Sequence, residues 1–143
     1  MKTFSLTIYS YILKYYNSLF DDLIKEYQIS QIEIDILAFL ANNPEYHYAQ
    51  EIVDVRGISK AHVSIAVEKL VKRGFLNRET DPKNRRCNIL KITDEASELI
   101  TKIQDVQSYY DKQVYQGMSK EDKENFNYYL SKMYQNIGGK INE

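Results

Sequence analysis

The side chains best suited to a chemical task in this sequence are basic, and they are concentrated in one part of the chain. Between Arg56 and Lys91 there are ten lysines or arginines and three acidic residues, a net charge of +7. The remaining residues include nine basic and seventeen acidic side chains, a net charge of −8. A basic segment between acidic flanks is typical of an element that binds a polyanion.

Residues that could serve catalysis or bind a metal are scarce. Cys87 is the only cysteine, and the two histidines, His47 and His62, form no cluster with carboxylates at metal-ligand spacing. The sequence has no glycine-rich phosphate loop and no serine or cysteine with an evident base partner. We therefore expect no enzyme, no cofactor and no metal, and we interpret Cys87 as a passive strand residue.

The sequence indicates neither a membrane span nor a signal peptide. It contains no run of 18 apolar residues, and the apolar residues near its N-terminus are interrupted and lack a small-residue cleavage site. Its apolar fraction of 43% is ordinary for a globular protein. We therefore expect a cytoplasmic protein with no membrane partner.

A helix, a turn and a second helix position the first part of the basic segment. Residues 49–55 form a short predicted helix, Arg56-Gly57-Ile58 is the turn, and Ser59 caps a helix over residues 59–73. At 100° per residue, the core-facing residues of this helix are Val63, Ala66, Val67, Leu70 and Val71. The outward face suits the DNA major groove, and its predicted contact residues are Ser59, Lys60, Ala61, His62, Ser64, Ile65 and Lys69. An ordinary solvated face is the alternative interpretation of this helix alone.

A basic hairpin follows directly. Residues 75–80 and 87–92 alternate like two strands, and residues 81–86 form a turn-rich basic loop between them. Lys83, Arg85 and Arg86 would then lie at the hairpin tip, where they could reach a narrow minor groove. A solvated turn is the alternative, but a basic tip directly after a basic helix-turn-helix favours DNA binding.

Helices with apolar stripes flank this central unit. The first predicted helix has an apolar stripe of Ile8, Ile12, Tyr15, Leu19 and Leu23. The second begins with a Ser30–Glu33 capping box, and its apolar stripe is Ile34, Leu37, Leu40 and Ala41. In the C-terminal part, a helix capped by Thr93 has the apolar stripe Leu99, Ile103, Val106 and Tyr110. After a break at Gly117, a helix that begins at Ser119 has the apolar stripe Phe126, Leu130, Met133 and Ile137. The outer stripes either fold back within the chain or pair with a second copy, and we favour the second copy.

The predicted fold class is mainly α with a small β-hairpin wing. We expect a single domain over residues 1–143, in which dimerisation helices at 1–28 and 94–143 surround a winged helix-turn-helix lobe at 30–92. The terminal helices are assigned to dimerisation because they lie outside the compact middle of the chain.

Residues 57–100 resemble the core of the MarR-type winged helix-turn-helix transcriptional regulators. The positions that carry the resemblance are Leu70-Val71-Lys72-Arg73-Gly74, Arg78, Asp81-Pro82-Lys83-Asn84-Arg85-Arg86 and Ile92-Thr93-Asp94-Glu95-Ala96. The resemblance implies a homodimer clamped by its terminal helices, with one helix of each subunit in a major groove and one wing in the flanking minor groove. It also implies an inverted-repeat operator and makes Arg86 the minor-groove arginine.

Three residues depart from the family pattern. The wing aspartate of the family is Asn84 here, so the ion pair that braces the wing arginine becomes at best a neutral hydrogen bond. A position of the recognition helix that is frequently polar or basic is Ile65, which should shift the base preference, and a family glycine is Ala96. An exposed ion pair is a small energetic term, so we expect a looser wing and not its loss.

The tyrosines have two interpretations. The chain has 13 of them, and those in the predicted terminal helices include Tyr9, Tyr11, Tyr15, Tyr16, Tyr109, Tyr110 and Tyr115. The resemblance implies a crevice for a small aromatic or anionic effector where these helices meet the DNA-binding lobe, with Tyr11, Tyr15 and Tyr110 as candidate ligand residues. Packing at the dimer interface is the alternative that we favour, because tyrosine combines an apolar ring with a polar tip.

The expected function is a sequence-specific DNA-binding transcriptional regulator. It would be a homodimeric repressor that binds a pseudo-palindromic operator with the recognition helix 59–73 and the wing 75–92. The half-sites would lie one helical turn apart, ~34–36 Å, and a small ligand that favours another spacing would release the dimer. The alternative is a winged-helix scaffold for protein–protein interaction without DNA binding, which the loss of the wing aspartate and the apolar Ile65 favour.

Overall fold

Seven α-helices and one antiparallel β-hairpin make up residues 6–139, the part of the chain that this computed structural model describes. The elements are α1 (Thr7–Ser18), α2 (Asp21–Tyr27), α3 (Gln31–Asn42), α4 (Ala49–Arg56), α5 (Lys60–Lys72), β1 (Leu76–Asp81), β2 (Asn84–Ile92), α6 (Ser97–Val114) and α7 (Lys120–Asn136). The predicted fold class, mainly α with a small hairpin wing, is confirmed. The chain divides into two compact units, residues 1–108 and 109–143. Within residues 6–139, no helix has the length and apolar character that crossing a membrane requires.

The core of the first unit is built around α3. Its completely inaccessible side chains are Ile34, Ile36 and Leu37. The Ser30 hydroxyl oxygen accepts a hydrogen bond from the Glu33 N–H at 3.2 Å, which confirms the predicted N-cap. The second bond of the predicted capping box is different, because the Glu33 carboxylate accepts from the Ser30 hydroxyl at 2.9 Å and not from the Ser30 N–H. α3 ends at Asn42, shortly before Pro44, as predicted.

The prediction of one continuous first helix is wrong, because the chain turns between α1 and α2. The N–H groups of Leu19 and Phe20 donate to carbonyl groups three residues back, at 3.2 and 3.1 Å, so the helical ladder tightens there. Phe20 is completely buried, and its ring lies edge-on to Tyr16 with a centroid separation of 5.0 Å. Burial of this side chain, and not a helix-breaking residue, accompanies the turn.

The helix-turn-helix forms as predicted, with helix ends that differ by one residue. Gly57 ends α4 with a φ of +66°, in the left-handed region that favours glycine. The Ser59 hydroxyl oxygen accepts from the His62 N–H at 3.2 Å and caps α5. The predicted core-facing side of α5 is confirmed, since its buried side chains are Val63, Ala66, Val67 and Leu70, with Val71 packed against them.

The hairpin extends further towards its tip than the sequence predicts. β2 begins at Asn84, so Arg85 and Arg86 lie on a strand and not in a loop over residues 81–86. The turn itself is formed by residues 82–83 alone. The predicted strands were therefore too short at this end.

A buried carboxylate explains the tight turn. The Asp81 side chain is buried and accepts from the Lys83 N–H at 2.9 Å, which closes the chain on itself over two residues. Asp81 pairs with Asn84, whereas the preceding pair is Thr80 and Asn88. The three residues of β2 between these pairs therefore form a bulge.

The C-terminal end of α5 is fastened to α2. The Arg73 guanidinium donates to the main-chain carbonyl of Gln28, at 2.8 Å, and to that of Tyr27. Carbonyl groups at the end of a helix lack helical partners, so a side-chain donor satisfies them. α6 adds a second bond to α2, from the Lys102 ammonium to the Glu26 carboxylate at 2.8 Å. α5 is thus held by α2 as well as by the core.

The connection from β2 to α6 also differs from the prediction. The Thr93 hydroxyl makes no capping hydrogen bond at the start of the next helix, and it donates to the carbonyl of Gly74, between α5 and β1. The chain then makes a 3-10 turn at Asp94–Ala96 before α6 begins at Ser97. Ala96 is completely buried, so the side chain at this position has to be small.

The second unit contains the predicted break and the last helix. Gly117 has a φ of +81°, which confirms the break there. The Ser119 hydroxyl oxygen accepts from the Asp122 N–H at 3.1 Å, and the Asp122 carboxylate accepts from the Ser119 N–H at 2.9 Å, so α7 begins with a reciprocal cap. The rings of Tyr115 and Phe126 lie edge-on, 6.4 Å apart.

We expect Leu70→Ala to reduce the free energy of unfolding by about 2–5 kcal/mol, because it leaves a cavity under α5 where Leu70 is completely buried. Ile65→Ala is the matched control on the same helix. Ile65 is 57% exposed, so this change should cost less than about 0.5 kcal/mol. Urea unfolding followed by circular dichroism measures both, and equal losses would contradict the assignment of the two faces.

Candidate nucleic-acid interface

The outward face of α5 is accessible from its N-cap to its last turn. All seven residues predicted to lie there are exposed: Ser59, Lys60, Ala61, His62, Ser64, Ile65 and Lys69. The opposite face is buried, so α5 presents these side chains without exposing the core. An α-helix with such a free face has the dimensions to enter a DNA major groove.

The three basic residues predicted for the hairpin, Lys83, Arg85 and Arg86, are also exposed. A groove of about 320 Å³ lies between α4, α5 and the hairpin, and Arg86 lines it together with Lys60 and Ser64. The structure therefore brings one hairpin arginine and two recognition-helix residues to a single surface. The other seven predicted residues are not among the side chains that line this groove.

The ten basic residues between positions 56 and 91 fall into two groups. Four of them form ion pairs with carboxylates, and Arg73 donates to main-chain carbonyls. Among the residues that the structure describes, no carboxylate oxygen lies within 4.0 Å of the charged nitrogens of the other five, which are Lys60, Lys69, Lys83, Arg85 and Arg86. These are the five basic residues that the sequence predicted to contact DNA. Positive charge that is not paired within the protein is available to an external polyanion.

Arg78 is a residue of this surface that sequence reasoning did not place in the site. It lines the groove, and its Nη2 lies 2.9 Å from Glu68 Oε2, so an ion pair joins β1 to α5. Lys72 approaches the same carboxylate at 4.0 Å. Such half-exposed pairs add little stability, but this one connects the hairpin to the recognition helix. The charge of Arg78 was visible in the sequence, whereas its partner was not.

Tyr48 is a second residue that the sequence analysis missed. Its hydroxyl donates to Asp81 Oδ2 at 2.6 Å, and its main chain bridges to Ile89 of β2. Together with the Lys83 N–H, this bond lowers the pKa of Asp81, and it raises the pKa of Tyr48. The Tyr48–Asp81 hydrogen bond stops stabilising the fold when the pH falls below the lowered pKa of Asp81 or rises above the raised pKa of Tyr48. At neutral pH its stabilising effect is therefore complete. No local signal could reveal a bond between residues 33 positions apart.

Asn84 stands at the position where the family pattern has a wing aspartate. Its side-chain oxygen accepts from the Arg86 N–H at 3.2 Å, and its amide nitrogen lies 3.4 Å from the half-buried Cys87 sulfur. The expected neutral hydrogen bond is therefore present, but it holds the main chain of Arg86 and not its guanidinium.

A second cavity, of about 300 Å³, lies in the first unit where α1, α3, α4 and α6 meet. Tyr16 and Gln107 line it and are joined by a hydrogen bond of 3.0 Å. Arg56 and Asp35 line it too, 3.6 Å apart, and burial raises the pKa of Asp35. The candidate ligand residues lie elsewhere: Tyr11 and Tyr15 are exposed on α1, and Tyr110 belongs to the second unit. Their assignment to a ligand stays a prediction.

Sequence comparisons identify relatives of this chain. The family model described as MarR family matches residues 27–86. The uncharacterized HTH-type transcriptional regulator YkoM of Bacillus subtilis is 27% identical over 101 residues, which cover 70% of this chain. The match spans only 64% of the length of that relative.

Solved structures share the fold over nearly the whole chain. A Listeria monocytogenes protein complexed with a 26mer DNA has a TM-score of 0.81 at 19% identity, and the match covers 100% of both chains. The S. aureus MepR–DNA complex has a TM-score of 0.80 at 14% identity, over 96% of this chain and 99% of that chain. The MarR protein from Peptoclostridium difficile has a TM-score of 0.79 at 23% identity, over 96% of this chain and 91% of that chain. At such identities the similarity establishes the winged-helix fold.

We expect Tyr48→Phe to raise the pKa of Asp81 towards its ordinary value, because the carboxylate loses its shortest donor. Titration of the Asp81 carboxyl carbon by NMR measures this change. Tyr46→Phe is the control, since it removes the same atom from the same segment and Tyr46 stacks on Phe39 instead. The same Asp81 pKa in both variants would show that the Tyr48 hydroxyl does not hold this carboxylate.

Proposed function

We propose that the chain is a member of the MarR family and a sequence-specific DNA-binding transcriptional regulator, because the model of that family matches residues 27–86. α5 enters the major groove, and the hairpin reaches the flanking minor groove. The observation that carries the proposal is that five exposed basic residues of these two elements have no carboxylate partner among the described residues. Such residues bind phosphates and give affinity, while the outward side chains of α5 read base edges.

Two of the proteins that share this fold support the assignment, because they were solved with DNA bound. The proposed contact residues of this chain are those predicted from its sequence: Ser59, Lys60, Ala61, His62, Ser64, Ile65, Lys69, Lys83, Arg85 and Arg86. Arg86 is the proposed minor-groove arginine, and the Asn84 bond to its N–H fixes its main chain for that contact.

We further propose that the protein is a homodimeric repressor. Residues 1–28 and 94–143 supply the dimerisation helices, and two recognition helices related by a two-fold axis read half-sites ~34–36 Å apart in a pseudo-palindromic operator. α7 supports the dimer, since its exposed apolar side chains are Phe126, Tyr128, Tyr129, Met133 and Tyr134. Phe126, Tyr129 and Met133 share one side of this helix, and exposed apolar side chains grouped on one side favour an interaction site.

The proposed regulation is release of the operator by a small aromatic or anionic effector. The cavity lined by Tyr16 and Arg56 supports such a site in the first unit. Tyr11, Tyr15 and Tyr110, the ligand residues predicted from the sequence, do not line this cavity, so their part in effector binding stays a prediction. A ligand can shift the operator-binding equilibrium only by its differential affinity for the two states. The protein acts in the cytoplasm on chromosomal DNA, and no catalytic role, cofactor or metal is part of the proposal.

We expect Arg86→Ala to weaken operator binding and to reduce the slope of log affinity against log salt concentration by about one per subunit, and so by about two for the dimer, because each subunit loses one phosphate or groove contact. The operator is first selected from random or genomic fragments with the purified protein. It is then titrated at several salt concentrations with both proteins.

Lys25→Ala is the control for this experiment, because it removes one positive charge from the exposed surface of α2, outside the predicted interface. It should leave the affinity and the salt slope unchanged. If no sequence is enriched, or if binding is indifferent to Arg86, the regulator proposal fails. A winged-helix scaffold for protein–protein interaction then becomes the better account.

We expect Met133→Glu to shift the protein from dimer to monomer in sedimentation equilibrium, because the charge falls in the apolar stripe of α7. Asn127→Glu adds the same charge to the same helix at an exposed polar position, and it should leave the mass of the particle unchanged. A monomeric wild-type protein, or equal masses for the two variants, would remove α7 from the proposed interface.

A further inference from the structure

The middle of the outward face of α5 contains an apolar side chain where a base-reading helix would be expected to have polar ones. Ala61, Ile65, Glu68 and Lys72 form one line along this face, because residues four, three and four positions apart share a side of a helix. Ile65 is 57% exposed, and it is the only exposed large apolar side chain in residues 59–92. A single exposed isoleucine is ordinary on a protein surface, so its meaning depends on its neighbours.

The two charged residues of this line are engaged within the protein. Glu68 accepts from Arg78 at 2.9 Å, and Lys72 lies 4.0 Å from the same carboxylate. Contact with a base edge would require these groups to give up an ion pair that also holds the hairpin. Along the middle of the face, the groups left to meet the floor of a groove are therefore the methyl groups of Ala61 and Ile65.

The polar side chains lie on the two flanks of this line. Lys60 and Ser64 lie on one flank, where they line the groove between α4, α5 and the hairpin together with Arg86. His62 and Lys69 lie on the other side, about 100° and 80° from Ala61 at 100° per residue. Flanking positions on a helix in the major groove face the two phosphate backbones, where cations and hydroxyl groups find acceptors.

We infer that the protein recognises thymine in the middle of each half-site by its C5 methyl group, which packs against Ile65 with Ala61 beside it. Thymine is the only base whose major-groove edge has a methyl group. Isoleucine offers no donor or acceptor to the other three bases, so the contact selects thymine by apolar burial alone. The inference rests on the proposed function and adds the base that is read and the residue that reads it.

The experiment replaces thymine by uracil, which removes only the methyl group and keeps every hydrogen-bonding atom. Each thymine of the selected operator is replaced in turn, and the affinity is measured for the wild-type protein and for Ile65→Ala. For the wild type we expect one thymine per half-site at which uracil weakens binding about fourfold, the effect of exposing one methyl group. The Ile65→Ala variant should bind the thymine operator and its uracil form with equal affinity, because the side chain that contacts the methyl group is gone.

Two controls separate this effect from general weakening. Uracil at thymines in the flanking minor-groove positions should change nothing, because the methyl group lies in the major groove. Ile65→Val, which retains a branched apolar side chain, should retain most of the uracil effect. Thermal unfolding checks that both variants are folded, as the exposure of Ile65 leads us to expect.

The outcomes distinguish this inference from the proposed function. If the protein selects an operator that has no thymine in the major-groove part of its half-sites, the inference is wrong while the regulator proposal stands. The same holds if uracil costs nothing, or if its cost persists in Ile65→Ala. If the protein selects no sequence at all, both fail together.

Discussion

The burial of one side of α5 is the constraint on which the rest of this structure depends. Val63, Ala66, Val67 and Leu70 enter the core, and because side-chain directions on a helix are fixed at 100° per residue, the rotation of α5 about its axis is fixed with them. The buried side chains therefore set the direction in which the outward residues of α5 are presented. The Ser59 cap and the Arg73 bonds to α2 secure the two ends of the same helix.

The hairpin depends on α5 and α4 in turn. Three bonds of different kinds attach it: the Arg78–Glu68 ion pair to α5, the Tyr48–Asp81 hydrogen bond, and the main-chain bond from the Leu90 N–H to the His47 carbonyl at 2.7 Å. None of them uses the five basic residues proposed to contact DNA. The charged residues that attach the hairpin are therefore different from those proposed to contact DNA. Substitution of the proposed contact residues would leave the attachment of the hairpin intact.

The sequence was sufficient where the determinants are local. Gly57, the Ser59 cap and the apolar spacing of α5 act within a few residues, so the helix-turn-helix and its exposed face were predicted almost to the residue. The turn at Phe20 was missed because burial against distant residues outweighs an uninterrupted helical pattern. The early start of β2 and the role of Tyr48 were missed because both depend on Asp81, whose phenol donor lies 33 positions away. The exposure of the proposed contact residues on α5 could be predicted because it follows from helix phase, whereas the absence of carboxylate partners among the described residues could not.

The buried face of α5 stabilises the fold and its exposed face does not, and this separation has a consequence for how such proteins diverge. A substitution at Ile65 or Ala61 alters a side chain that contributes little to folding, so the population of folded molecules is almost unaffected. Duplicated copies of the gene could therefore drift at these positions and acquire different targets while every intermediate remained a stable protein. Substitutions on the buried face have no such freedom, and loss of Arg78 would remove one of the three bonds that attach the hairpin.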